Sequence, residues 1–72
     1  ALMRSNSDPG SGDSIALRAF AILEHVARSS MPQSLDDVTQ AMGLPKPTVY
    51  RILLMLQGSG LLLRDQGTKR YS

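Results

Sequence analysis

The sequence predicts a mainly α domain in which three helices are followed by a small β hairpin. Apolar residues recur at helical spacing in three stretches, which begin near residues 14, 35 and 45. Proline and glycine interrupt the pattern between these stretches, at "SSMPQ" and "MGLP". The last twelve residues, "LLLRDQGTKRYS", place the turn residues Asp65, Gln66 and Gly67 between two short runs. Gly67 is able to take a positive φ in that turn.

The length of 72 residues allows one small domain. Residues 1–13 are rich in Ser, Gly, Pro, Asn and Asp and carry little apolar surface, so we expect a disordered arm there. The folded domain is then expected to span residues 14–72. No run of roughly 20 apolar residues could cross a bilayer, and the start lacks a signal-peptide pattern. These features predict a soluble, cytoplasmic module without a membrane partner.

Metal, cofactor and enzyme chemistry are all disfavoured. The chain has no cysteine, and its one histidine, His25, cannot form a zinc site alone. Asp36 and Asp37 are adjacent on a helix, so their side chains diverge instead of sharing a substrate. There is no phosphate-binding glycine loop, and a domain this small has little room for a typical pocket. We therefore predict a protein that is not an enzyme and needs no cofactor.

The first helix is predicted to begin after Ser14, which can act as its N-cap. His25 lies off the apolar stripe and is expected at the surface. Leu17 and Phe20 add apolar surface beyond the stripe and form a candidate dimer contact. The stripe itself consists of Ile15, Ala19, Ile22, Leu23 and Val26.

The second helix has clear end signals. Ser34 followed by Asp37 resembles a capping box with Asp in place of Glu, and the acidic first turn suits the positive helix start. Gly43 ends the helix because glycine accepts the left-handed C′ conformation at little cost. The predicted inner face consists of Leu35, Val38, Ala41 and Met42.

The third helix begins in "GLPKPTVYRIL", residues 43–53. Leu44 is expected to fill the core between the second and third helices. Pro45 and Pro47 fix the start of the third helix, because amides of the first turn have no intrahelical partner. Lys46, Tyr50 and Arg51 fall on the outer face, beside a helix N-terminus that favours anions. The inner face is predicted to be Val49, Ile52, Leu53 and Leu56.

The charge is distributed unevenly along the chain. Residues 1–45 hold three bases and five acids, whereas residues 46–72 hold five bases and one acid. Arg64, Lys69 and Arg70 lie on the predicted hairpin. A basic half of a small domain favours a polyanionic partner, although solvated surface charge or edge-strand charge that blocks pairing would look the same.

A helix, a helix-turn-helix and a basic hairpin together make a winged helix-turn-helix. Residues 18–71 resemble the N-terminal DNA-binding domain of the IclR family of bacterial transcription regulators. The resemblance is carried by "RAFAILE" (18–24), "LDDVTQAMGLPKPTVYRIL" (35–53) and "GLLLRDQGTKRY" (60–71). Two positions depart from the family pattern. Pro47 replaces the usual serine or threonine, which removes one hydroxyl that would bind phosphate, and Thr39 stands where alanine is usual.

The resemblance implies sequence-specific binding of duplex DNA. A recognition helix of about residues 45–57 would enter the major groove, and a wing of residues 61–72 would contact the backbone or minor groove. It also implies a palindromic operator, a homodimer formed through the full-length protein, and a C-terminal domain, absent from this chain, that binds a small-molecule effector. By position, the residues that face DNA would be Lys46, Thr48, Tyr50 and Arg51, with Arg64, Lys69 or Arg70 on the wing.

Two other functions remain open on the sequence. A winged helix can serve as a protein–protein interaction module without reading DNA, but such a module would lack the basic face around Lys46 and Arg51. RNA binding usually recruits exposed aromatic side chains for stacking, and here only Tyr50 is a good candidate.

Overall fold

The computed structural model describes residues 12–72 and contains three helices in this range. These are α1 (Gly12–Arg28), α2 (Leu35–Met42) and α3 (Lys46–Gly58). The predicted arm at residues 1–13 lies outside the described residues except for Gly12 and Asp13. Ser14 lies inside α1, which begins at Gly12, and is therefore not its N-cap. None of the helices between residues 12 and 72 combines the length and the apolar character needed to cross a membrane.

The three helices pack around one apolar core. α3 contacts both α1 and α2, and all four residues predicted for its inner face are buried. Leu44 packs against the core from the α2–α3 connection, as expected. The buried set is Ile22, Val26, Val38, Val49, Ile52, Leu53, Leu56, Leu62 and Tyr71.

Two residues of the predicted apolar stripes are exposed. Ile15 is 50% exposed. Helical spacing identifies the residues that share a face of α1, but it does not show how far the packing partners extend along that face. Ala41 is exposed near the end of α2. His25 is half-buried instead of exposed, and its Nε2 lies 3.1 Å from Oε1 of Gln33 in the α1–α2 connection.

The ends of α2 follow the sequence signals closely. Ser34 Oγ accepts from the Asp37 amide at 3.0 Å, and Asp37 Oδ2 accepts from the Ser34 amide at 3.0 Å, so the capping box is complete. Gly43 has φ 67° and donates its amide to the Thr39 carbonyl. The Thr39 hydroxyl donates to the Leu35 carbonyl at 2.7 Å, so this departure from alanine is satisfied within the helix.

Residues 61–72, called the C-terminal segment below, fold back on the helices without forming a strand. The predicted hairpin of two strands is not confirmed, because pairing is limited to isolated antiparallel bridges of Tyr71 with Gln33 and with Arg64. Leu63 and Ser72 exchange two backbone hydrogen bonds of 3.0 and 2.9 Å. Leu62 and Tyr71 are both buried, so this segment completes the core.

The turn of the C-terminal segment differs from the expected one. The left-handed residue is Lys69, with φ 61°, whereas Gly67 does not adopt a positive φ. The Asp65 carboxylate accepts from the Gly67 amide at 3.3 Å and from the Thr68 hydroxyl at 2.9 Å. These side-chain bonds fix the first part of the turn, and the reversal of chain direction is completed two residues later than predicted, at Lys69.

Candidate nucleic-acid interface

The start of α3 is held by its two prolines. Pro45 is the N-cap, with φ −61° and ψ 141°, and it has no side-chain capping bond. The amides of Thr48 and Val49 both donate to the Pro45 carbonyl, at 3.0 and 3.1 Å. Since Pro47 has no amide proton, the first turn of α3 offers an anion fewer free amides than a helix start without proline. Side-chain cations must therefore provide most of the positive potential at this end.

A groove of about 270 Å³ runs between the start of α3 and the C-terminal segment. Lys46 and Tyr50 line it from α3, and Arg64 and Lys69 line it from the C-terminal segment. The fold thus brings together four of the seven residues predicted from the sequence to contact DNA. Asp36 of α2 is a further lining residue and supplies a carboxylate among three cations. We call this feature the α3 groove.

Arg64 occupies a defined position in the α3 groove. Its Cζ lies 6.0 Å from the centroid of the Tyr71 ring, and its Nη1 lies 3.5 Å from Oε1 of Gln66. A guanidinium at this distance from an aromatic face is weakly attracted to it. The buried Tyr71 ring therefore supports a cation at the edge of the groove.

Three predicted contact residues lie outside the α3 groove. Arg51 is exposed on α3, and no polar partner for it is found within residues 12–72. Thr48 is half-buried and makes no side-chain capping bond. Arg70 does not line the α3 groove, and its Nη1 donates to Asp37 Oδ2 at 2.9 Å and to the Pro32 carbonyl at 3.2 Å.

The first turn of α2 supplies an acidic partner to one cation of α3 and to one cation of the C-terminal segment. Lys46 Nζ lies 2.8 Å from Asp36 Oδ1, and both side chains are well exposed, at 56% and 79%. Asp37 accepts from Arg70 while it also closes the capping box. The amide of Ser34 is the main cause that lowers the pKa of Asp37, and the Ser34 hydroxyl and Arg70 lower it further.

Sequence reasoning missed three residues that shape this surface. From the sequence, the only expected role of Asp36 is to favour the positive start of α2. Because Asp36 lies ten residues before Lys46, no local pattern indicates that the two side chains are in contact. Gln33 and Tyr71 pair through their backbones, which depends on where the C-terminal segment returns to the helices. Since neither residue belongs to an apolar stripe with helical spacing, the sequence pattern does not predict that Gln33 and Tyr71 pair.

Comparison with known protein families decides the class of this domain. The model of the IclR helix-turn-helix domain matches residues 16–66, which include most of α1 and the whole of α2 and α3. The chain belongs to the IclR helix-turn-helix family. This match confirms the resemblance seen in the sequence and makes the chain a DNA-binding domain of the transcription-regulator class.

A curated relative supports the IclR assignment. The chain is 45% identical over 56 residues to a protein of Cupriavidus necator named "Probable transcriptional regulator SauR". The alignment covers 78% of this chain and 22% of the relative, so the chain spans about a fifth of that protein's length. No solved structure matched the chain.

The IclR match also divides the candidate interface. Lys46, Tyr50 and Arg64 lie within the matched residues, whereas Lys69 and Tyr71 follow residue 66. The part of the α3 groove beyond the match is nevertheless connected to the domain core through the buried side chain of Tyr71.

Within residues 12–72, no cluster of three or more His, Cys, Asp or Glu side chains could hold a metal ion.

Proposed function

We propose that this IclR-type domain binds duplex DNA in a sequence-specific manner as part of a bacterial transcription regulator. The observation that carries the proposal is the α3 groove, in which Lys46, Arg64 and Lys69 present three cations on two elements that meet at one surface. Such a cationic surface provides the electrostatic part of DNA binding, which depends on the phosphates and not on the sequence. The name of the Cupriavidus relative supports a role in regulation.

Sequence reading is assigned to α3 in the major groove. Arg51 is exposed and unengaged within the described residues, so its guanidinium is free to donate two hydrogen bonds to a guanine. Thr48 and Tyr50 provide hydroxyl groups within the first turns of the same helix. Lys46 contacts a phosphate at the start of the helix, which fixes the register of α3 on the duplex.

The C-terminal segment is proposed to act as the wing. Arg64 and Lys69 contact the DNA backbone or the minor groove from this segment, on the side that faces α3. Arg70 has a different contribution, because its ion pair with Asp37 and its hydrogen bond to the Pro32 carbonyl hold the segment against α2. Its loss should weaken binding to all sequences alike.

A two-fold arrangement would give the domain enough specificity. One recognition helix reads only a few base pairs, so two copies on a palindromic operator are needed for a unique genomic address. The candidate contact on α1 is formed by Leu17 and Phe20, which are 67% and 64% exposed. We expect this contact to be weak, and the full-length protein to hold the homodimer together through an effector-binding C-terminal domain. A small-molecule effector would bind that domain.

A salt titration tests the DNA binding, whereas sequence reading by α3 requires a selected operator. Binding of the 72-residue chain to duplex DNA, duplex RNA and a protein bait is measured at several salt concentrations. Each phosphate neutralised contributes about −0.9 to the slope of log affinity against log salt, so a steep negative slope is expected for DNA. A flat response, or equal binding to RNA, would contradict the proposal, and binding to a protein bait alone would favour the interaction-module alternative.

A further inference from the structure

Asp36 is the one carboxylate that lines the α3 groove in the part of the chain that the structure describes. The groove otherwise presents the cations Lys46, Arg64 and Lys69. Asp36 Oδ1 lies 2.8 Å from Lys46 Nζ, and the carboxylate has no other polar partner among the described residues. The free protein therefore already neutralises one of the cations that a DNA backbone would contact.

This ion pair is of the kind that a phosphate can replace. Both side chains are more than half exposed, and exposed pairs are weak because water and salt screen them. A DNA phosphate in the α3 groove would meet three cations at once, whereas Asp36 contacts only one. Once Lys46 turns to the phosphate, the Asp36 carboxylate is left without its cation and near a negatively charged backbone, which opposes binding.

Asp37 does not share this property, although it is adjacent. Its carboxylate accepts from the Ser34 amide in the capping box and from Arg70. Removal of Asp37 would therefore damage the start of α2 as well as an ion pair. Asp36 can be changed without loss of a helix cap, so its electrostatic effect can be measured separately.

We propose that Asp36 competes with the DNA backbone for Lys46 and so lowers the affinity of the domain for DNA. This inference rests on the proposed DNA-binding function. Non-specific complexes depend almost entirely on phosphate contacts, so the cost of releasing Lys46 from Asp36 can be measured on a duplex of random sequence. The same cost applies on the operator, where Lys46 also contacts a phosphate and base contacts from α3 discriminate between sequences.

The test compares Asp36→Asn with Glu24→Gln in the 72-residue chain. Glu24 also pairs with a basic residue, Arg28, but on α1, which does not line the α3 groove, so both variants remove one acid from a surface ion pair. The probe is a duplex of random sequence. Asp36→Asn should bind it about two- to fivefold more tightly than the parent chain, with a similar salt slope because Lys46 contacts the phosphate in both complexes. Asp36→Glu should resemble the parent, and thermal unfolding checks that each variant is folded.

A double-variant cycle completes the test. In a Lys46→Gln background, Asp36→Asn should lose most of its effect, because the pair it breaks is no longer present. The inference is overturned if Asp36→Asn binds no more tightly than Glu24→Gln, or if its effect is equal in both backgrounds. Those results leave DNA binding itself intact. A parent chain that shows no salt-dependent binding to the duplex would overturn the proposed function and this inference together.

Discussion

The amide of Tyr71 donates to the carbonyl of Gln33 at 2.7 Å, and the amide of Gln33 donates to the carbonyl of Tyr71 at 2.8 Å. This reciprocal pair joins the C-terminal segment to the α1–α2 connection. The Tyr71 side chain enters the core beside it, with only 2% of its surface exposed. One residue thus connects the groove-lining segment to the helices through both its backbone and its ring.

Replacement of Tyr71 should therefore unfold much of the domain. We expect Tyr71→Ala to lower the free energy of unfolding by about 3–5 kcal/mol, as for other large buried aromatics, which is a large part of the stability of a small domain. Urea denaturation followed by circular dichroism measures the change. Tyr50→Ala is the matched control, because Tyr50 is 46% exposed and should cost much less. Equal losses for the two variants would show that Tyr71 is not part of the core.

The capping box of α2 predicts a pH dependence of stability. The pKa of Asp37 is lowered in the folded state, mainly by the Ser34 amide, so its contribution is fully present above the ordinary pKa of aspartate. It is lost as the pH falls through the lowered pKa. Asp37→Asn should flatten this acid limb of the unfolding curve, measured by thermal melts at several pH values. Asp36→Asn, which removes the adjacent carboxylate and leaves the cap, is the control.

The conformation of Lys69 predicts opposite effects on stability and binding. A φ of 61° is costly for a residue with a Cβ atom and easy for glycine. Lys69→Gly should leave the free energy of unfolding unchanged or raise it by up to about 1 kcal/mol, and it should weaken DNA binding because one cation is lost.

Gly67→Ala should be tolerated, since Gly67 is not left-handed and an added Cβ meets only the Asp65 carboxylate, at 3.9 Å. A large loss of stability in Gly67→Ala would contradict the turn described for Asp65 to Lys69.

Arg51 should affect specificity more than general affinity. If it reads a guanine, Arg51→Ala should cost about 1–3 kcal/mol on a selected operator and little on random DNA. The operator is obtained by repeated selection from a random duplex pool. Arg28→Ala, at an exposed arginine on α1, provides the control for loss of one guanidinium. If Arg51→Ala binds the selected sequence as tightly as the parent, Arg51 does not read bases.

The sequence was most informative where local chemistry decides the structure. Ser34, Asp37 and Gly43 identified both ends of α2, because caps depend on residues close in the chain. The inner face of α3 was equally clear from its helical spacing. The motifs shared with the IclR family additionally predicted that the three helices form one helix-turn-helix domain.

The remaining differences arise from contacts between distant parts of the chain. Tyr71 has no periodic neighbours, so its burial depends on the path by which the C-terminal segment returns to Gln33. Glycine preference favours a positive φ at Gly67, but the left-handed residue is Lys69, two positions later, in a turn where the Asp65 side chain binds the Gly67 amide. The Asp36–Lys46 pair joins two helices across a turn, and helical spacing applies within one helix only.

The way in which the C-terminal segment closes the core also has a consequence for folding during synthesis. Arg70 donates to the carbonyl of Pro32, 38 residues earlier. From the end of α3 at Gly58 to Tyr71 there are 13 residues, which a ribosome adds in about 0.7–2.6 s at roughly 5–20 residues per second. All three helices are complete before this contact can form, yet their shared core lacks Tyr71. The nascent chain therefore exposes apolar surface during that interval, in which a chaperone can bind it.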